Sequence, residues 1–267
     1  MSRLAEKRYD WAEFRTTEFA DMDPEKTIVI LPTAAVEQHG PHLPVGVDQY
    51  INEGMLAHLR TTCPEDINIL ILPVQAIGKS NEHIHAKGTL TYTAKTALDA
   101  WTEIGLSVAR AGLKKMVIVN SHGGNLDLIS ILGRELRVQA GMMVVKCQWG
   151  NFGKPEGLYS AQESTYGIHG GDLETSLMLH FKPHLVDMSK AEDFRSTAET
   201  APISPIGPVN LAWVSKDLNP KGTVGEAHLA TAEKGVATCA HQVAGFVEML
   251  KAFRDLSSEG YARTIPE

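Results

Sequence analysis

The chain has no long apolar run. Nothing in its 267 residues approaches the roughly 18 consecutive apolar residues that a membrane span needs. Positive charge is in short supply: 25 lysines and arginines stand against 32 aspartates and glutamates, a net charge of −7. The basic face of a nucleic-acid binder is therefore not indicated, and no run of like charges forms a binding tail. Cysteine is scarce. Cys63, Cys147 and Cys239 are odd in number and show no CxxC spacing, so they fit a reducing compartment, with Cys147 as a core filler. The opening "MSRLAEKRYDWAEF" lacks the apolar segment of a signal peptide. These absences leave a cytoplasmic protein whose partner is a small molecule, not nucleic acid or membrane.

What is present is ordinary globular material, 43% hydrophobic and 21% charged. The length allows one large domain or two small ones and is enough to bury a sizeable core. Short apolar runs alternate with amphipathic stretches. Strands are expected at "TIVILPTAA" from Thr27, "NILILPV" from Asn68, "KKMVIVN" from Lys114 and "MMVVKCQW" from Met142. Helices are expected at "EGMLAHLRTT", from Thr93 to near Gly112, at "LDLISILGRELRVQAG", at "GGDLETSLMLHF" and at "AHLATAEKGVATCAHQVAGFVEMLKAF". "ETAPISPIGPVN" reads as a surface connection. Such alternation predicts an α/β fold, a three-layer sandwich around a mostly parallel central sheet, over residues 1–267 as a single domain.

In sheets of this kind ligands bind beyond the carboxyl ends of the strands. The histidines fall there. "EQHG" follows the first strand, "GKSNEHIH" the second, "SHGGN" the third, and "STYGIHGGDLE" the fourth after a longer excursion. Glu37 and His39 are two apart, so an extended segment points both to one side. Imidazole and carboxylate together are what a catalytic zinc site uses, with one position left for water. Asp48 can bring a carboxylate between two ions. His122 lies beside Gly123 and Gly124, which let backbone approach a ligand, and Glu174 can complete a second ion's shell. Two metals about 3.5–4 Å apart polarise a carbonyl and supply a nucleophile, the machinery of amide hydrolysis.

Plainer roles are available to several of these residues. His42 is read as packing the Pro-rich loop. His83 and His85 stand equally as surface or site residues. Asp172 serves equally as a helix N-terminal charge or as a ligand. His180 and His184 are expected at helix ends, and His228 and His241 within the C-terminal helix.

The motifs "EQHGPHLPVGVD", "GKSNEHIHAKGT", "NSHGGN", "HGGDLETSLML" and "GTVGEAHLATAEKG" resemble the creatininase (creatinine amidohydrolase) family in the same order, from about Trp11 to about Leu250. The resemblance implies an α/β sandwich, a binuclear metal centre and a ring-shaped homohexamer. By motif match, Glu37, Asp48 and His122 hold one metal, and His39 and the shared Asp48 hold the other. Zinc is the first expectation for both, with manganese or iron compatible with the same donors. Ser80, Glu82, His83 and Gly123 would line the substrate pocket.

The sequence also departs from the namesake enzymes. Their third motif resembles "GHYEN", in which the acidic residue serves the second metal; here Gly123 and Gly124 stand in those positions. Glu174 becomes the replacement carboxylate. "WDIEHGG" becomes "TYGIHGG", so Thr165 and Tyr166 replace the Trp and Asp that grip creatinine and Ile168 the Glu beside the histidine, while His169 is retained as a proton shuttle. The expected function is metal-dependent hydrolysis of a small polar, cyclic amide or related carbonyl compound, by a hydroxide bridging two ions. Opening of a cyclic ketone derived from inositol, and a non-catalytic metal-binding member, are the alternatives.

Overall fold

The computed structural model describes residues 7–207 and 209–257. The first residues of "MSRLAEKRYDWAEF" and both ends of the expected 1–267 domain lie outside the described residues. Four parallel strands, β1 (Thr27–Thr33), β2 (Asn68–Ile71), β3 (Lys115–Asn120) and β4 (Met143–Gln148), form one sheet in the order β2-β1-β3-β4. Ile28 pairs with Ile69 on one side and Lys115 on the other, and Thr33 and Asn120 close the β1–β3 register. The chain steps outward from β1 to β2, then crosses to β3 on the other side. The strand order thus reverses between β1 and β3, and a crevice opens beyond their carboxyl ends.

All seven residues of β1 are buried, because both faces of the sheet are covered. Ile28 and Ile30 point into a core shared with α1 (Val47–Thr62), α5 (Asp172–Phe181) and α7 (Ala232–Asp255). Val29 and Leu31 point the other way, into a core shared with α2 (Ala94–Arg110) and α3 (Leu126–Ala140). A period of two with apolar residues on both faces is the signature of a covered parallel sheet. The fold is a three-layer α/β sandwich.

Helix limits follow local chemistry. The Thr93 side chain accepts from the backbone N–H of Thr96 and starts α2. Gly141 ends α3 with φ of 66°, a left-handed geometry that costs glycine nothing. Two expectations are corrected. The first helix begins at Val47, six residues before "EGMLAHLRTT", because buried Val47 and Ile51 extend the apolar stripe of Met55 one turn and more toward the N-terminus. Asp48 therefore sits in a helix's first turn instead of a loop. The last helix begins at Ala232, where Thr231 caps it, so "AHL" forms a 3₁₀ turn and His228 lies outside the helix. A short helix α4 (Ala161–Tyr166), a single turn α6 (Ser215–Leu218) and an antiparallel pair, β5 (Asp193–Phe194) with β6 (Gly225–Glu226), complete the excursion after β4.

Helices α5 and α7 pack closely because Gly235 lets them. A Cβ there would lie 2.0 Å from the carbonyl oxygen of Ser176, a backbone atom with no rotamer to yield. Alanine in mid-helix ordinarily stabilises by about 1 kcal/mol over glycine. Gly235→Ala should instead destabilise by about 1–3 kcal/mol, the range of overpacked cores, as read by denaturant titration; a rise in stability would show that the two helices can separate freely.

Candidate metal centre

The loop after β1 is held by short backbone bonds. Glu37 N–H donates to Val45 O at 2.8 Å and Leu90 N–H to Val36 O at 2.8 Å. Beneath it lies a buried amide network at the ends of β1 and β3. Asn125 donates to Ala34 O at 3.0 Å and to Asn120 Oδ1 at 3.1 Å; Thr33 Oγ1 donates to the same oxygen at 3.0 Å. Asn120 donates to His122 O. Asn52 of α1 donates to Thr33 O at 3.0 Å, and Ser121 donates to Asp48 O at 2.8 Å. These bonds tie the first turn of α1 to both strand ends and fix Asp48 beside the loop histidines.

Glu37, His39, Asp48 and His122 are all buried, and each histidine faces both carboxylates. Glu37 Oε1 lies 3.1 Å from His122 Nδ1, 3.6 Å from both His83 Nε2 and His169 Nδ1, and 4.0 Å from His39 Nε2. Asp48 divides its oxygens: Oδ1 is 3.5 Å from His39 Nε2, and Oδ2 is 3.4 Å from His122 Nδ1. Glu174 Oε2 is 3.8 Å from His39 Nε2 and also accepts the N–H of Gly170. Donor atoms fall into three sets, each within 4.8 Å: Glu37, Asp48 and His122; His39, Asp48 and Glu174; Glu37, His39 and His169.

The rear nitrogens of these rings set their tautomers. His39 Nδ1 donates to Glu37 O at 3.0 Å, His122 Nε2 to Lys79 O at 3.0 Å, and His169 Nε2 to Gln38 O at 2.7 Å. Each ring thereby keeps its other nitrogen turned toward the carboxylates, the nitrogen that a metal-ligating histidine frees of its proton to bind the ion. His83 is different. The Gln38 amide donates to its Nδ1 at 2.8 Å, so its Nε2 carries the hydrogen and faces Glu37 as a donor. Gln38, which sequence reading passed over, does several jobs: its amide donates to His83 Nδ1 and to the Gly222 carbonyl, and its own backbone carbonyl holds His169.

A cation fits this donor set. Among the described residues the buried side-chain atoms without a hydrogen-bond partner are Glu37 Oε2, His39 Nε2, Asp48 Oδ2 and His42 Nδ1. Three of the four belong to the three donor sets. Leaving such atoms unpaired costs about 1–3 kcal/mol each, more for charged ones, and a divalent ion removes that cost.

The protonation of the metal-free cluster follows from the same crowding. Burial opposes charge on His39, but Asp48, Glu174 and Glu37 outweigh it and raise its pKa to about 9. His122 is raised well above its ordinary value against burial, by Glu37 and Asp48. Burial pushes Asp48 and Glu37 upward, yet the facing histidines hold both below the usual carboxylate range. Glu174 goes the other way, to about 7: burial and the charge of Asp48 prevail over His39. His169 is pushed well down by burial and by the charges of His39 and His83, so it stays neutral.

The remaining sequence candidates separate. His42 packs and braces: Nε2 bonds Gly170 O at 3.0 Å and Thr175 Oγ1 at 2.9 Å, and the ring stacks on Phe194. Asp172 pairs with Lys234 and accepts from Ser176 at 3.0 Å, facing away from the centre. His83 is buried while His85 is exposed. Ser80, Glu82, Gly123 and Gly124 surround His122, and Ser80 Oγ is 3.2 Å from His122 Nε2. Above the cluster opens a cavity of about 890 Å³. Its lining includes Glu37, His83, His122, His169 and Glu174, and also Trp149, Lys154, Pro205, Asn210 and Trp213. Pro205, Ile206, Gly207 and Asn210, from the segment read as a surface connection, thus wall the cavity together with Trp213, whose Nε1 donates to Pro205 O at 2.8 Å. Thr165 and Tyr166 do not line it, whereas Ile168 does.

Residues 12–250 match the creatininase family, described as creatinine amidohydrolase. The chain belongs to the creatininase family. Creatinine amidohydrolase of Pseudomonas putida is 30% identical over 224 residues, covering 78% of this chain and 82% of that one. A mycofactocin precursor peptide peptidase of Mycolicibacterium smegmatis is 26% identical over 229 residues, covering 85% of each. A mutant creatininase complexed with creatine superposes with a TM-score of 0.74 at 26% identity, over 94% of this chain and 100% of that one. Creatininases have been solved in a Zn–Zn form and with Mn. Among the described residues no helix is long and apolar enough to cross a membrane.

For this family member without metal, the pKa shifts fix a pH dependence. His39 and Glu174 bind protons more tightly folded than unfolded, so their contribution is full at low pH. It fades as pH rises through about 7 for Glu174 and about 9 for His39. His83, held down to about 3 by burial and by His39 and His122, acts oppositely: its contribution is lost as pH falls from 6.5 toward 3. Chelator-treated protein should lose thermal stability between pH 6.5 and 9, and zinc should restore it there. A metal-free melting temperature that climbs across that range would contradict this protonation pattern.

Proposed function

We propose that the protein hydrolyses an amide bond in a small polar substrate, with two divalent ions held by Glu37, Asp48 and His122 on one side and by His39, Asp48 and Glu174 on the other. The observation that carries the reading is the division of Asp48. Its two oxygens face different histidines, and each of those histidines has a second carboxylate of its own. Bound there, such ions would activate water as the nucleophile and polarise the scissile carbonyl.

The chain's own groups do the rest. His169 is neutral, buried and fixed by Gln38 O, with its free Nδ1 turned toward Glu37. It can take a proton at Nδ1 and pass it to the departing nitrogen. His83 presents Nε2–H to the same carboxylate and orients what enters from the cavity. Glu82 and Gly123 line the cavity beside His122, and Ser80 lies buried behind that ring. Glu174 supplies the carboxylate that Gly124 does not, which favours a working centre over a non-catalytic one.

The cavity favours a second reading of the substrate. At about 890 Å³ it lies near the top of the roughly 300–1,000 Å³ range of ligand pockets, more room than one small ring fills. A short peptide end fits that volume, in keeping with the mycofactocin precursor peptide peptidases among the relatives. Creatinine itself is disfavoured because Thr165 and Tyr166 replace the creatinine-gripping residues of the namesake motif and do not reach the cavity. We take the working form to be a homo-oligomer, hexameric as the family resemblance implies.

Elemental analysis and turnover test this together, on protein purified without chelator against a panel of cyclic amides and short peptides. Wild type should carry about two metals per chain, and Glu174→Gln about one, with most activity lost. His169→Ala should keep both metals while turnover falls about 10²–10⁴-fold. Equal metal in wild type and Glu174→Gln would remove Glu174 from the ligand set, and joint loss of metal and turnover in His169→Ala would make His169 a ligand.

A further inference from the structure

Gly123 and Gly124 are neighbours with opposite surroundings. A Cβ on Gly123 meets nothing within 4 Å, so that position opens on the cavity. A Cβ on Gly124 would fall 2.0 Å from Glu82 Oε1, 2.4 Å from His122 Nε2 and 2.6 Å from Lys79 O. The space a side chain at 124 would take is already filled, by a carboxylate arriving from the loop after β2.

That carboxylate is held through one oxygen and faces His122 with the other. Lys79 Nζ donates to Glu82 Oε2 at 2.7 Å, and Glu82 Oε1 lies 3.5 Å from His122 Nε2. The Glu82 side chain is 11% exposed. His122 Nε2 is the nitrogen turned away from the carboxylate centre; its hydrogen goes to Lys79 O at 3.0 Å. Lys79 thus serves twice, accepting at its carbonyl and steering Glu82 with its ammonium group. A negative charge behind an imidazole stabilises the rear N–H and makes the forward nitrogen a stronger donor to a metal.

We propose that Glu82, clasped by Lys79 and seated in the side-chain space of Gly124, is a positioning residue that fixes His122 with Nδ1 toward Glu37 and Asp48. The inference rests on the reading that this centre holds a divalent metal. It moves Glu82 from gripping substrate to supporting a ligand, and it makes Gly124 a requirement of that support. Any side chain at 124 must evict Glu82 and push the His122 ring.

The test is zinc affinity by competition with a chromophoric chelator, on full-length wild type, Glu82→Gln and Gly124→Ala, with thermal melts of the metal-free forms. Glu82→Gln keeps the shape and removes the charge. It should loosen one zinc per chain about 10–100-fold with its metal-free melt unchanged, and Glu82→Asp should recover part of the loss. Gly124→Ala should lose at least as much zinc affinity. Its own failure to fold would leave Glu82→Gln decisive. Zinc held by Glu82→Gln as tightly as by wild type overturns the inference. Wild type that binds no zinc overturns the metal reading beneath it, a result distinguishable because it appears before any substitution is made.

Discussion

Everything in this molecule's site answers to one electrostatic problem. Glu37, Asp48 and Glu174 converge in the interior, with four imidazoles around a single oxygen of Glu37. Charges buried this way are tolerated only when paired or metal-bound. Protons on His39 and His122 balance part of the charge in the metal-free state. Three donor atoms still find no hydrogen-bond partner. The rings cannot turn to relieve this, since backbone carbonyls of Glu37, Gln38 and Lys79 hold them from behind. The arrangement is preorganised for a cation.

The fold supplies the means. A parallel sheet covered on both faces brings the ends of β1 and β3 side by side at the reversal of strand order. Each end delivers one loop, and α1 delivers Asp48 from its first turn. Asn52, Asn120, Asn125 and Ser121 then spend their hydrogen bonds locking those three segments together. The excursion after β4 contributes His169 and Glu174. It is braced by Glu163, whose buried carboxylate accepts from the N–H groups of Leu173 at 3.1 Å and Glu226 at 2.8 Å. A sheet edge sets which residues meet, and buried polar bonds set how accurately they meet.

Much of this was legible beforehand. The alternation of apolar runs gave the four strands and the layered fold, because a covered parallel sheet writes itself as continuous hydrophobic stretches. Glu37, His39 and His122 were readable because strand ends are where such sheets keep their chemistry. Other features were hidden for physical reasons. The early start of α1 was masked by the polar "DQY" between buried apolar positions. Gln38 looked like filler between two donors, though its side-chain amide orders His83 and its backbone carbonyl orders His169. Nothing in the Pro-rich stretch signalled that Pro205, Ile206 and Asn210 line the cavity, since a wall built by an irregular segment has no period to detect. Glu82 carried a signal only in combination with Gly124: an acidic residue and an empty side-chain position, brought together by folding.

The central claim is that two metals share Asp48. Anomalous diffraction from a crystal grown with zinc tests it most directly. Two peaks about 3.5–4 Å apart, one against Glu37 and His122 and the other against His39 and Glu174, with Asp48 between them, are the predicted result. A single peak, or two peaks with Asp48 bound to neither or only to one, would contradict the account.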